Sequence, residues 1–86
     1  MTSLVSLRNI GPKSAYWLQS AGIQTAEDLY KVGVVEAYQR AKAAFPEKVS
    51  LNLLFALQGA LMELPWNEIP PDIKEKLLSE ISLVEA

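Results

Sequence analysis

Apolar residues recur along most of this chain at intervals of three and four, the spacing of one face of an α-helix, and the strict alternation that marks a strand is almost absent. Leu4 and Leu7, after Thr2-Ser3, predict a short first helix ending near Asn9. Ala15, Leu18 and Trp17 predict the inward side of a second helix, from Pro12 to about Ala21, with Lys13, Ser14 and Gln19 in water. Thr25 then supplies an N-cap, with Glu27 and Asp28 in the first turn where the helix dipole favours them, and Gly33 stops that third helix after two turns. Val34, Tyr38, Ala41 and Phe45 share one face of a fourth helix, which Pro46 ends. Ser50 caps a fifth, Leu51 to about Glu63, where Leu51, Leu53, Leu54, Phe55, Leu57, Leu61 and Met62 cover most of the circumference and place it in the middle of the domain. Pro71 opens a last helix, with Ile73, Leu77, Ile81 and Val84 inward and Lys74, Glu75, Lys76 and Glu80 outward. That helix is expected to dock on Leu51 to Met62 and to carry an i,i+4 ion pair between Asp72 and Lys76. The predicted fold class is all-α, a compact bundle of about five short helices in one domain spanning residues 1–86.

Two interruptions of the helical pattern carry most of the information. Leu7-Arg8-Asn9-Ile10-Gly11-Pro12-Lys13-Ser14-Ala15, closing with Ala21-Gly22-Ile23, reads as the hairpin and second helix of a helix-hairpin-helix motif. Gly11 is expected to supply backbone freedom at the turn, Pro12 suits the first helical position, and Gly22 suits the left-handed residue that ends a helix. Amides at such a helix start point outward and can take a phosphate oxygen. The second interruption, Pro65-Trp66-Asn67-Glu68-Ile69-Pro70-Pro71, is a linker turn, over which Trp66 and Ile69 are expected to fold back onto the core.

Composition narrows the function. The chain has 86 residues, 50 % hydrophobic and 21 % charged, with a formal net charge of −2. That is the balance of one small packed domain and not of a disordered segment. No apolar run reaches the roughly 18 residues of a membrane span, and no secretory signal is present, so a cytoplasmic protein without membrane attachment is expected. With neither cysteine nor histidine there is no disulfide framework, no thiolate metal site and no imidazole base. Gly11-Pro12-Lys13-Ser14 lacks the upstream glycine and the preceding strand of a phosphate loop. No catalytic residue, metal ligand, cofactor or small-molecule substrate is assigned.

The order Asn9-Ile10-Gly11-Pro12-Lys13-Ser14, Ala21-Gly22-Ile23, Thr25, Asp28-Leu29, Gly33, Ala37-Tyr38, Leu51-Asn52-Leu53-Leu54, Ala56-Leu57, Gly59-Ala60 and Trp66 resembles the C-terminal domain of the TfoX/Sxy family of competence regulators. The resemblance runs over about residues 4 to 80. It implies a role linked to DNA uptake and natural transformation in bacteria. It also implies a stand-alone C-terminal domain, since longer members of that family carry an additional N-terminal domain. The first 33 residues are similar as well to the C-terminal domain of the bacterial RNA polymerase alpha subunit, another helix-hairpin-helix relative.

Two readings of function follow. In the preferred one, the domain is a non-enzymatic regulatory adaptor that meets a protein partner of the transcription or DNA-processing machinery, or a second copy of itself. Tyr16, Trp17 and Tyr30, with the small-residue stripe Asn52, Ala56 and Gly59, are its candidate contact surface; the stripe is expected first to receive a neighbouring helix of this domain, and a partner is the alternative. The alternative is sequence-nonspecific DNA binding through the hairpin, with Arg8, Asn9, Gly11, Lys13 and Ser14 around one phosphate. Against it stand the acidic balance and Asn9, a side chain where the stronger hairpin pattern has glycine and a phosphate would approach.

Overall fold

The computed structural model describes the backbone of residues 2–85 and the side chains of residues 2–81. Five α-helices follow one another: α1 (Pro12–Ser20), α2 (Ala26–Val32), α3 (Val34–Ala44), α4 (Leu51–Met62) and α5 (Pro71–Glu85). Single 3₁₀ turns at Leu4–Ser6 and Trp66–Glu68 complete the described residues, among which there is no strand. The bundle expected from the periodicity is therefore present. Its first member is shorter than expected, a single turn that gives way to extended backbone at Leu7. No described helix is long and apolar enough to cross a membrane.

The helix ends follow the residues that cap them. α1 opens on Pro12 and closes in a Schellman turn, Gly22 taking φ +91° while Ile23 N–H donates to the Leu18 carbonyl at 2.9 Å. Thr25 Oγ1 accepts from Asp28 N–H at 3.2 Å, and Ser50 Oγ from Asn52 N–H at 3.4 Å, so both predicted caps form. Gly33, with φ +90°, ends α2 and begins α3, which lets the chain turn a corner with no connecting loop. Lys42 closes the next loop, donating to the carbonyls of Pro46 at 2.9 Å and Val49 at 2.7 Å. α4 ends in a second Schellman turn, with the left-handed position held by Glu63 at φ 58° and Leu64 N–H bonded to the Gly59 carbonyl at 2.8 Å. The N-terminal segment is tied to α2. Thr2 N–H donates to the Glu27 carboxylate at 2.9 Å, and Ala26 N–H to the Thr2 carbonyl at 2.9 Å. The bond from the Thr2 backbone holds the Glu27 carboxyl below its ordinary pKa.

The middle of the bundle is α3, not the leucine-rich α4. α3 packs against α1, α2, α4 and α5. Its inward positions include Ala37 and Ala41, both fully buried, and such small residues let several neighbours approach one axis. α4 buries Leu53, Leu54, Ala56, Leu57, Gly59 and Ala60 but leaves Leu51 and Leu61 partly in water, so its apolar circumference exceeds what the fold covers. α5 packs against α3 and also faces α4, where Lys74 lies over the Phe55 ring, 5.4 Å from its centroid; Leu77 and Ile81 are its buried side chains. Val84 lies outside the described side chains. The ion pair formed among the described residues is Glu36 with Arg40 at 2.7 Å, on α3, and Asp72 with Lys76 is not one.

Candidate functional site

The hairpin turns on Asn9, not on Gly11. Asn9 takes φ 71°, the left-handed region that asparagine tolerates better than most residues, whereas Gly11 is extended at φ −94°, ψ −178°, open to any residue. Apart from its two chain neighbours, nothing lies within 4 Å of where a Gly11 side chain would begin. Neither conformation nor packing inside the chain therefore requires glycine there; what Gly11 leaves is bare, exposed backbone at the start of α1.

Left-handed geometry sends the Asn9 side chain inward. Its Nδ2 donates to the Leu64 carbonyl at 2.8 Å and to the Ala56 carbonyl at 3.4 Å, and its Oδ1 accepts from Trp66 N–H at 3.3 Å. One amide thus fastens the hairpin both to α4 and to the turn that follows it. The amide crosses α4 at Gly59, where a Cβ would fall 2.6 Å from Asn9 Nδ2 and 2.6 Å from the Leu64 carbonyl oxygen. The expectation that Asn9 blocks the outer approach to the hairpin is corrected: its polar group is spent inside the chain. The small-residue stripe serves the chain's own packing at Gly59, which is buried beneath Asn9 and the Leu64 carbonyl, while Ala56 is 9 % exposed and Asn52 reaches water.

Members of both candidate sets, Asn9 and Ser14 with Trp17, Asn52 and Ala56, meet at one cleft of about 380 Å³ beside this clasp. Trp17 on α1 and Trp66 on the turn after α4 are its aromatic walls, and Leu53 and Ala56 give it an apolar floor. Asn9 and Ser14 from the hairpin, with Ser50 and Asn52 from the start of α4, add the polar groups. Trp66 is 47 % exposed, so Ile69 covers the core as expected while the indole does not. Ser50, Leu53 and Trp66 were not among the candidates. The signal for Trp66 was an indole held on a proline-flanked turn, where no helix face can bury it.

The remaining candidates lie elsewhere. Arg8 and Tyr30 line a second depression together with Leu61 and Glu63. Tyr16 stacks at a tilt on Phe45, with ring centroids 5.5 Å apart, and stays 58 % exposed. Lys13 and Gly11 are exposed at the start of α1, whose first intrahelical bond runs from Ala15 N–H to the Gly11 carbonyl. The amides of Lys13 and Ser14 consequently precede the first internal donor of that helix.

Comparison with known proteins agrees with this architecture. A crystal structure of an uncharacterized protein from Listeria monocytogenes, in a triclinic form, is similar at a TM-score of 0.87 and 30 % sequence identity, over 99 % of this chain and 96 % of that one. No protein of curated function matches the chain. The sequence matches the family described as the TfoX C-terminal domain over residues 1–81, and the chain belongs to that family.

Proposed function

We propose that this chain is a non-enzymatic regulatory adaptor, working in the cytoplasm through a protein partner, in the control of DNA uptake and transformation to which its family resemblance points. The observation that carries the reading is where its aromatic side chains stand. Tyr16, Tyr30 and Trp66 are 58 %, 55 % and 47 % exposed, although burying them would have enlarged a small core. Aromatic residues that remain on a surface are the enriched component of protein interfaces. Cations, the residues that drive contact with a nucleic-acid backbone, number two at the hairpin, Arg8 and Lys13, on a chain of net charge −2.

A second reading, direct and sequence-nonspecific DNA contact, is favoured by the bare backbone of Gly11 and the outward amides of Lys13 and Ser14. Titration of labelled double- and single-stranded DNA at low and moderate salt separates the two. The adaptor reading expects no binding in the micromolar range. Micromolar binding that falls steeply with salt and is lost in Lys13→Glu would replace it with the second reading.

A further inference from the structure

The depression that Arg8 and Tyr30 share combines apolar surface with two charges left without partners. Tyr30 projects from α2 and Leu61 from α4, both exposed, while Arg8 stands just before the hairpin turn and Glu63 just after α4. Neither Arg8 nor Glu63 makes a hydrogen bond or an ion pair among the described residues, where the ion pair formed is Glu36 with Arg40. Other depressions differ in this respect. The Trp17–Trp66 cleft has no ionisable lining residue, and the lining beside Gly33 has Glu36 and Glu80 without a cation. Beside Leu77, Lys76 and Glu80 lie one turn apart on α5, where they compensate each other.

Glu63 is also a residue its turn does not favour. It holds the left-handed position that closes α4, at φ 58°, which glycine fills without a side-chain clash. A carboxylate here costs the isolated chain stability and finds no partner within it, which points to a partner outside.

The arrangement of charge selects that partner. A basic or an acidic segment of another protein is matched by a surface of the single opposite sign. Here one unpaired cation and one unpaired anion, from different elements, line one depression with Tyr30 and Leu61, and such a surface is complementary to itself. A two-fold axis passing between Arg8 and Glu63 sets each against the opposite charge of a second copy and satisfies both at once. We propose that this face is the contact between two copies of the chain, with Arg8 of each paired to Glu63 of the other and Tyr30 and Leu61 of both copies packed beside them. The dimer goes beyond the adaptor reading and leaves Tyr16 and Trp66 open to a protein partner. The residues involved are few beside the roughly 20–30 a side of a standard interface, so the association is weak.

Sedimentation equilibrium of the intact chain at increasing concentration tests the proposal, with circular dichroism to show that each variant is folded. The parent is expected to dimerise with a Kd of about 10–500 µM, weakening as salt is added. Arg8→Glu and Glu63→Arg, each of which sets like charges together, are expected to weaken it at least about tenfold. The double variant, with both charges exchanged, should return to within about threefold of the parent, a recovery that contact with an unrelated protein could not produce. Tyr30→Ala should lower association without restoring it in any charge background. Glu63→Gly should weaken association while raising the stability of the monomer, a split that a purely structural Glu63 would not give. A monomer mass at every concentration, association unchanged by either single reversal, or a double variant that stays monomeric would overturn the dimer. The adaptor reading, which rests also on Tyr16 and Trp66, would survive each of those results.

Discussion

Replacing Gly59 with alanine adds one methyl group to the middle of α4 and sets two effects against each other. Helix propensity favours alanine over glycine by about 1 kcal/mol. The new Cβ, however, would sit 2.6 Å from Asn9 Nδ2, 2.6 Å from the Leu64 carbonyl oxygen and 3.4 Å from Ile69 Cδ1. Optimal contact between such atoms lies near 3.5 Å, so the amide and the backbone after α4 must both move. Overpacking of this kind costs about 1–3 kcal/mol. Displacing Asn9 also weakens its bond to Leu64, worth about 0.5–1.5 kcal/mol net. The sum is a destabilisation of about 2 kcal/mol, or a Tm lowered by roughly 8–16 °C for a domain of this length. Urea and thermal unfolding followed by circular dichroism read it directly. In an Asn9→Gly background, which keeps the positive φ and removes the amide, the cost of Gly59→Ala should shrink by about 1 kcal/mol. A Gly59→Ala chain as stable as the parent or more stable, or costs that simply add in the double variant, would refute the clasp.

The C-terminal end of α4 offers a change in the opposite direction. Glu63 occupies the left-handed position of the Schellman turn, and Glu63→Gly is expected to raise stability by about 0.5 kcal/mol, relief of the side-chain clash exceeding the entropy glycine adds to the unfolded chain; a lower urea midpoint for this variant would contradict that geometry. Glu27, whose folded-state pKa is depressed by the Thr2 N–H, contributes stability that is present above its unfolded value of about 4.5 and lost as pH falls through the lower folded value. Its carboxyl 13C signal should therefore titrate below the ordinary glutamate range, and Glu27→Gln should flatten this part of the acid profile; an ordinary midpoint would show that the Thr2 bond is not held in solution.

The helices were legible because their signals are local. Thr25, Ser50, Pro12, Gly22 and Gly33 set helix ends through their own backbone and nearest neighbours, and each does so in the structure. Packing order was not legible. The dense leucines of α4 pointed to the centre, but the centre goes to α3, whose Ala37 and Ala41 permit close approach without adding to hydrophobicity. The family resemblance, resting on the order of the motifs, held over nearly the whole chain. The site was visible in part. Asn9, Ser14, Trp17, Asn52 and Ala56 all line the cleft, yet the sequence divides them between two functions because no spacing reveals that a hydrogen bond joins residue 9 to residues 64 and 66. Gly11 drew attention through its residue type, while the positive φ expected of a hairpin glycine falls on Asn9, two positions earlier.

The hairpin is joined to α4 where Asn9, at one edge of the cleft, lies across Gly59 with its amide held by Leu64 and Trp66. Nuclear Overhauser contacts from the Asn9 side-chain amide protons report that arrangement with the least intervening inference. Strong cross-peaks to the Gly59 α-protons and to an Ile69 methyl, together with slowed exchange of the Asn9 side-chain amide, are the predicted result. An Asn9 amide that exchanges as freely as one in an unstructured peptide, with no cross-peak to Gly59, would contradict it.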